Sequence, residues 1–413
     1  TKYGVYLSNV TSVNITRNTI INSTWAGISL KMFKNYTSGL SDEFYIKWNN
    51  ISNHPVAGIY LCNATGGKYP GYISDVSNKI ISYNSFTGNG FAVNNSCWDA
   101  NVTAFNLTFN YWGDTKGPGN VTHSTTDYGN GLNISQGNMT SYAPWYEDSQ
   151  MAVLHSIKIG TTYYNTLDLA VASATHSDVI TLGNGTYETN ASLFSLRSIT
   201  IRGASADDTT IKGNSSIAVL TLGNTSLLTN VTVQNNKRNT SILALGNDFT
   251  IKNSKFYDGT PAIFVKSDKM NFSQGIIINN TIINSTGEQR LYGAIWLNAS
   301  LGNITGISIA NNTFKNATIA IQIDGGIAGQ AGSVNRIIID SNLINKSLYG
   351  VIMNNVSGIN ITYNKFINQT RDSILIKGFK NSSYDEFYIK WNNFSDIINT
   401  HSGLYATIKV CNS

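Results

Sequence analysis

Residues Ile359–Phe366 read INITYNKF, and the same grammar recurs in VNITRNTI (Val13–Ile20), KIISYNSF (Lys79–Phe86), FNLTFNYW (Phe105–Trp112), GIIINNTI (Gly275–Ile282), ISIANNTF (Ile307–Phe314) and IIIDSNLI (Ile337–Ile344). In most, a polar or small residue separates apolar positions; in each, an Asn follows the last of these by three, and a large apolar residue comes two after the Asn. Alternation with period two marks a half-buried strand, and a brief break before the next apolar residue marks a tight corner. The asparagines are Asn18, Asn84, Asn110, Asn280, Asn312, Asn342 and Asn364, with Asn49 and Asn392 in the same place within DEFYIKWNN, which occurs at Asp42–Asn50 and again at Asp385–Asn393. Neighbours in the series mostly lie about 22–35 residues apart, the length of one supersecondary unit per repeat.

A unit this short cannot bury its apolar face alone, so successive units must stack into a solenoid. At the Asn-centred break the chain is expected to turn in a left-handed conformation, which Asn tolerates well. Asparagines in register on adjacent turns can then hydrogen-bond to one another as a ladder. The pattern resembles a right-handed parallel β-helix of the pectin-lyase-like class over nearly the whole chain. That resemblance implies an all-β fold, but the fold carries lyases, hydrolases, tailspikes, adhesins and surface-layer proteins alike, so it leaves function open.

Composition agrees with this class. Charged residues make up 12% of 413, and Ile, Thr, Tyr and Phe broken by Asn and Gly favour short strands and turns. The formal charge of +5 comes from scattered Lys and Arg, which gives no support for a nucleic-acid partner. No apolar run approaches the ~18 residues of a membrane span, and TKYGVYLSN at the start does not read as a signal peptide.

One stretch, from Ser141 to Asn190, breaks the pattern. Within it NTLDLAVASAT predicts a helix near residues 165–175, with Asn165 or Thr166 as N-cap and Leu167, Ala170, Val171 and Ala174 on one face. An amphipathic helix there can cap the open end of a solenoid. Tyr3–Cys62 also aligns with Tyr349–Cys411, from YGVYLSNVTSVNITRNTIINST against YGVIMNNVSGINITYNKFINQT to the two copies of DEFYIKWNN. The expectation is therefore two tandem β-helix domains: residues 1–150 as the C-terminal portion of one, and 151–413 as the N-terminal portion of a second, homologous one, both within a longer array. In DEFYIKWNN, Phe44 and Ile46 should point inward, and Tyr45 and Lys47 outward.

Asn-x-Ser/Thr triplets occur about thirty times. Candidate N-glycosylation sites are Asn9, Asn14, Asn22, Asn35, Asn63, Asn101, Asn106, Asn120, Asn138, Asn190, Asn230, Asn298, Asn303, Asn316, Asn360 and Asn381, with Asn14 and Asn360 expected to face outward from their strands. The alternative is that Asn and Thr are simply common in β-turns. Three cysteines, none in a C-x-x-C pair, speak against zinc or iron–sulfur sites. On an extracellular reading Cys62 and Cys97 are disulfide candidates, and Cys411 is the counterpart of Cys62.

No catalytic constellation is visible in the linear sequence. Asp207–Asp208 precedes a Thr-rich strand, and Asp324, in QIDGGIAGQAG, reads as the mark of a tight bulge rather than a site. His54, His123, His155, His176 and His401 show no metal-ligand spacing, and no nucleophile or phosphate-loop signature appears. The expectation is of no enzyme, no metal and no cofactor. Tyr60, Tyr69, Tyr72, Tyr142, Trp145 and Tyr146 could stack on sugars or on a neighbouring subunit, or simply pack loops. Sequon density and Asn/Ile/Thr bias resemble archaeal surface-layer and adhesin-like β-helix proteins, including hook-bearing archaeal filaments. The resemblance implies an extracellular structural glycoprotein of a polymeric surface assembly, at the cell surface, whose partners are copies of itself and covalent N-glycans. A carbohydrate-binding adhesin, with surface carbohydrate as partner, is the first alternative, and a polysaccharide lyase or glycoside hydrolase the second. Three Asn-Gly pairs, Asn89–Gly90, Asn130–Gly131 and Asn184–Gly185, are heat-labile and lean away from an extreme thermophile.

Overall fold

A computed structural model describes residues 1–33, 44–62, 79–95, 106–115, 117–119, 134–135, 142–189, 193–195, 197–213, 218–235, 239–267, 271–286, 292–326, 332–379, 387–397 and 407–411. The fold is a right-handed parallel β-helix. Each coil contributes three short strands, and each strand pairs in parallel with its counterpart on the next coil. In the first coil they are Tyr3–Val10, Val13–Thr16 and Thr19–Ile21, and in the second Ala26–Phe33, Phe44–Lys47 and Asn50–Ser52. Two compact units result: residues 1–157 with 162–166, and residues 158–161 with 167–413. In the second unit one face is a nine-stranded parallel sheet running from Gly185–Thr189 to Asn393–Ser395, and the other two faces are built the same way.

The pleat sorts the side chains. Val13 pairs with Phe44, and Ile15 with Ile46 and then Ile81, all buried, whereas Tyr45 and Lys47 point outward. The apolar residue two places after each ladder position forms an internal column. In the second unit this column runs Phe256, Ile282, Phe314, Ile344, Phe366, Phe394 in unbroken register. Phe366 stacks on Phe394 at 5.0 Å, and in the first unit Phe86 stacks on Trp112 at 5.5 Å. Burying each such side chain contributes roughly 1.5–3 kcal/mol.

The corner that follows the strands Val13–Thr16, Phe44–Lys47 and Ile80–Ser82 holds the asparagines. The side chain of Asn49 donates to Asn84 Oδ1 at 2.9 Å and to the Ile15 carbonyl of the coil before at 2.8 Å. Its own Oδ1 accepts from the Asn18 backbone N–H at 2.9 Å and from the Asn18 amide at 3.1 Å. Asn84 repeats this with Asn110. The second run joins Asn280 to Asn312, Asn342, Asn364 and Asn392, each amide also reaching an Ile carbonyl on the preceding coil. The first member of this run is not an Asn and does not show in the repeat pattern: it is Ser254, whose N–H donates to Asn280 Oδ1 at 3.0 Å.

One expectation about this corner is corrected. The left-handed residue is not the ladder Asn but the one before it: Arg17, Trp48, Tyr83 and Phe109 in the first unit, and Asn253, Asn279, Asn311, Ser341, Tyr363 and Trp391 in the second, all with φ between 51° and 61°. The reason is geometric. The Asn amide must lie along the stacking direction between coils, so the reversal falls to the preceding residue, whose side chain is thrown outward.

A second corner, absent from the sequence pattern, lies five residues further on. There Ser23, His54 and Asn89 stack: Ser23 N–H donates to His54 Nδ1 at 3.1 Å, and His54 N–H donates to Asn89 Oδ1 at 3.0 Å. Because Nδ1 accepts, the ring proton is on Nε2, which faces the Ile20 carbonyl at 3.0 Å. Asn22, Asn53 and Gly88 precede these residues in left-handed conformation, as Asn284, Asn316 and Asn368 do in the second unit.

The helix spans Leu167–Ser173, with Leu167, Ala170, Val171 and Ala174 buried, and it is tied to the first coil of its unit by Thr189 Oγ1 donating to Asp168 Oδ1 at 3.0 Å. Among the described residues no helix is long and apolar enough to cross a membrane.

Two substitutions test the corners. Asn312→Ala removes the acceptor of two Asn280 donors and the donor to Ile277, leaving buried polar groups unpaired. It should lower unfolding stability by about 2–4 kcal/mol, read as a shift in the denaturant midpoint. His54 is buried, and burial holds its imidazole below the usual 6.5. The folded state therefore favours the neutral ring, and the stabilisation is complete above pH 6.5 and lost as pH falls through the depressed folded value. His155 acts in the same direction, burial again being the main cause. Thermal melts from pH 7.5 to 4.5 should thus show a smaller acid-side loss for His54→Asn than for the unaltered chain.

Candidate functional site

The outward side of one face of the second unit carries a polar cluster bordered by aromatic rings. Its strands are Ile263–Lys266, Ile295–Asn298, Ile319–Asp324, Tyr349–Val356 and Ile374–Phe379. Alternation buries Ile263, Val265, Ile295, Leu297, Ile321 and Ile323 and turns the residues between them out. Register then lines up two outward rows. One runs Phe264, Trp296, Gln322, Ile352, Leu375, of which Gln322, Ile352 and Leu375 are buried, and the other Lys266, Asn298, Asp324, Asn354, Lys377.

Asp324 is the centre of this surface. Its Oδ2 accepts from Trp296 Nε1 at 2.7 Å and Gln322 Nε2 at 2.8 Å, and its Oδ1 accepts from the Asn354 amide. Gln322 is fixed in turn by accepting from Gly293 N–H at 2.9 Å. Trp296 stacks on Phe264 with centroids 4.4 Å apart and planes 9° from parallel, and Tyr292 lies against it at 4.6 Å. Further along the same face Ile319, Ile352 and Leu375 form an apolar cluster with Tyr349 and Cys411. A carboxylate oriented by three neutral donors beside aromatic rings suits hydrogen bonding to vicinal hydroxyls and stacking on a pyranose ring. Asp324 is thus the last residue of a strand and a hydrogen-bond hub, which corrects its reading as a mere bulge marker. Only the sheet register could have shown this, because its donors are gathered from three successive coils.

The other expected positions fall in several places. Asn9, Asn14, Asn22 and Asn316 are exposed, and Asn9, Asn22, Asn230 and Asn316 occupy left-handed positions. Asn106, Asn230, Asn298 and Asn303 are half-buried, and so is Asn360, whose flanking register partners are Ile338 and Tyr388. Asn35, Asn63, Asn101, Asn120, Asn138, Asn190 and Asn381 lie outside the described residues, as do Tyr69, Tyr72 and Cys97. Cys62 is buried at the end of Ala57–Cys62. Asp207 is exposed and pairs with Lys255, and Asp208 accepts from Ser205 Oγ at 2.7 Å. Among the described residues no group of three or more His, Cys, Asp or Glu side chains is gathered as a metal would need.

No protein-family model matches the chain, and no curated protein matches it. Solved structures do match at the level of fold. One is the Azotobacter vinelandii mannuronan C-5 epimerase AlgE4 A-module, at 11% identity and a TM-score of 0.21, covering 59% of this chain and 93% of that one. Another is ORF18 of Geobacillus virus E2, at 14% identity and a TM-score of 0.20, covering 62% of this chain and 59% of that one. These likenesses are too low to carry an activity across. The expectation that the chain is not an enzyme is corrected, because its one ground, the lack of a linear signature, is no ground in a fold whose sites form between coils.

Trp296→Ala removes the ring and one Asp324 donor together. It should weaken binding of any saccharide seated on this face by at least about tenfold, whereas Lys212→Ala on a different face should not, as titration calorimetry against a panel of oligosaccharides would show.

Proposed function

We propose that this chain is part of an extracellular structural glycoprotein, built of tandem β-helix domains, that assembles into a polymeric surface filament, sheath or layer. The observation that carries the reading is the internal recurrence. Asn18 and Asn49 in the first unit correspond to Asn364 and Asn392 in the second, and Trp48 corresponds to Trp391, each at the same place in its coil. Repetition of a whole run of coils suits a scaffold extended by duplication. Sequons at exposed corners such as Asn22 and Asn316 support glycosylation, since a glycosyltransferase needs an accessible Asn on a projecting turn. Copies of the chain and covalent glycans are its partners in this reading.

A second reading, contact with surface carbohydrate, is favoured by the Asp324 cluster and its Trp296 platform. The two readings are compatible, because a surface polymer can present the same saccharide-binding face on every domain.

The test is electron cryo-microscopy of native surface material together with glycopeptide mass spectrometry. The reading expects the chain within a continuous polymer, with hexose-bearing peptides that include Asn22 or Asn316. A freely diffusing protein with every described sequon unmodified would overturn it.

A further inference from the structure

The left-handed residues of the first corner raise a separate question in the first unit. Four coils in succession place Arg17, Trp48, Tyr83 and Phe109 there, with φ of 59°, 57°, 57° and 61°. In the second unit the same position is held by Asn253, Asn279, Asn311 and Ser341 before Tyr363 and Trp391 appear. Asn enters the left-handed region readily, whereas a bulky aromatic residue enters it at an energetic cost of order 1 kcal/mol or more. The position faces outward, so the core does not demand a ring: Trp48 is 49% exposed and Tyr83 and Phe109 are half-buried, and in the second unit Tyr363 is 58% and Trp391 67% exposed.

The rings form a column. Trp48 and Tyr83 are 5.7 Å apart with planes 23° from parallel, and Tyr83 and Phe109 are 5.2 Å apart at 10°. Nearly parallel rings in contact are separated by about 3.5 Å, so at these centroid distances each is slid about 4 Å past the next and leaves part of its face uncovered. One end of the column is cationic. The Arg17 guanidinium lies 5.5 Å from the Trp48 ring, and Lys47 Nζ lies 5.9 Å from Trp48 and 4.2 Å from Tyr45. At the other end Phe109 meets Tyr163 edge-on at 6.3 Å, and Tyr146, beside acidic Asp148, lies 6.3 Å from Tyr83.

The arrangement recurs independently. Tyr363 stacks on Trp391 at 5.0 Å, and Lys390 Nζ lies 3.7 Å from the Tyr388 ring and 5.9 Å from Trp391. Phe44 and Ile46, and their counterparts Phe387 and Ile389, are the inward places of the nonapeptide, where core packing accounts for the identity. Core packing does not account for the identity of the outward Tyr, Lys and Trp, which other coils replace freely.

We propose that the Arg17–Trp48–Tyr83–Phe109 column is a binding surface for an acidic polysaccharide chain, with pyranose rings resting on the stepped aromatic faces and a sugar carboxylate paired to Arg17 and Lys47. Successive rings lie 5.7 and 5.2 Å apart, on the scale of one pyranose unit, so consecutive sugars meet consecutive rings. The surface is distinct from the Asp324 cluster, which lies on the other unit, and it does not depend on the assembly reading.

The test uses the full chain and a hexasaccharide of polygalacturonate, its fully methyl-esterified form as the uncharged control, and titration calorimetry at two salt concentrations. Trp48→Asn with Tyr83→Asn installs the residue that the same corner carries at Asn253 and Asn279, so the backbone conformation is retained. The free acid should bind with an affinity that falls with salt, the double variant should bind at least tenfold more weakly, and Arg17→Gln with Lys47→Gln should abolish the preference over the ester. Trp391→Asn, on the shorter column, should produce a smaller loss. Absence of binding by the unaltered chain, equal binding of the ester, or unchanged affinity in the double variant would each overturn the proposal. Self-association that the double variant abolishes, in a chain indifferent to the saccharide, would assign the column to a second copy instead.

Discussion

Every part of this molecule depends on one requirement: the backbone and corner polar groups of each coil must be satisfied by the coils above and below. A parallel ribbon wound on itself leaves no strand edge within the stack, but its corners are sharp and would strand buried N–H and C=O groups. The ladder asparagines meet this need because a primary amide offers two donors and an acceptor on a short stem. Asn49 uses all of these, reaching Asn84 ahead and Ile15 behind while accepting from Asn18. Ser254 and His54 show that the requirement is for a hydrogen-bonding group of the right reach rather than for Asn as such. Substituting His at one such place also ties part of the stack to protonation.

Satisfying the corners inward has an outward consequence. Since the reversal falls on the residue before the ladder Asn, that side chain is projected into solvent in register with its counterparts on neighbouring coils. The fold thus produces rows of surface residues about one strand spacing apart, whatever their chemistry. Where the row is Asn, as at Asn253, Asn279 and Asn311, it is inexpensive backbone. Where it is Arg17, Trp48, Tyr83 and Phe109, it is a cation followed by a row of stacked rings, of which Trp48 is exposed and the other two half-buried. The sheet faces do the same with a different periodicity, and bring Trp296, Gln322, Asp324 and Asn354 together from coils some thirty residues apart. A scaffold of this kind lends itself to recognition of long, regular ligands, because both partners are repetitive at a similar spacing.

The architecture was legible because period-two alternation, the Asn three places later and the apolar residue two beyond it are all local features with a direct structural cause. The helix at Leu167–Ser173 was legible for the same reason, its buried face being written at helical spacing. The second corner was not legible, since Ser23, His54 and Asn89 share no residue type and are related only by their place in the coil. Asp324 is hidden in the sequence because its context is Gly-rich and two of its partners are distant in the chain. The expectation of no catalysis rested on the same weak ground, since groups that meet across coils are not neighbours along the chain.

The repeat, the inward residues and the ladder asparagines can all be read from the order of amino acids, because they follow from burial and hydrogen-bond satisfaction within a single coil and its immediate echo. Which outward side chains share a surface is a property of the stacked coils alone. Register between coils depends on the intervening loops, which bring successive ladder positions to separations of 22 to 35 residues and carry no pattern of their own. The rows of rings and the Asp324 cluster are products of that register, so they exist only once the coils are stacked.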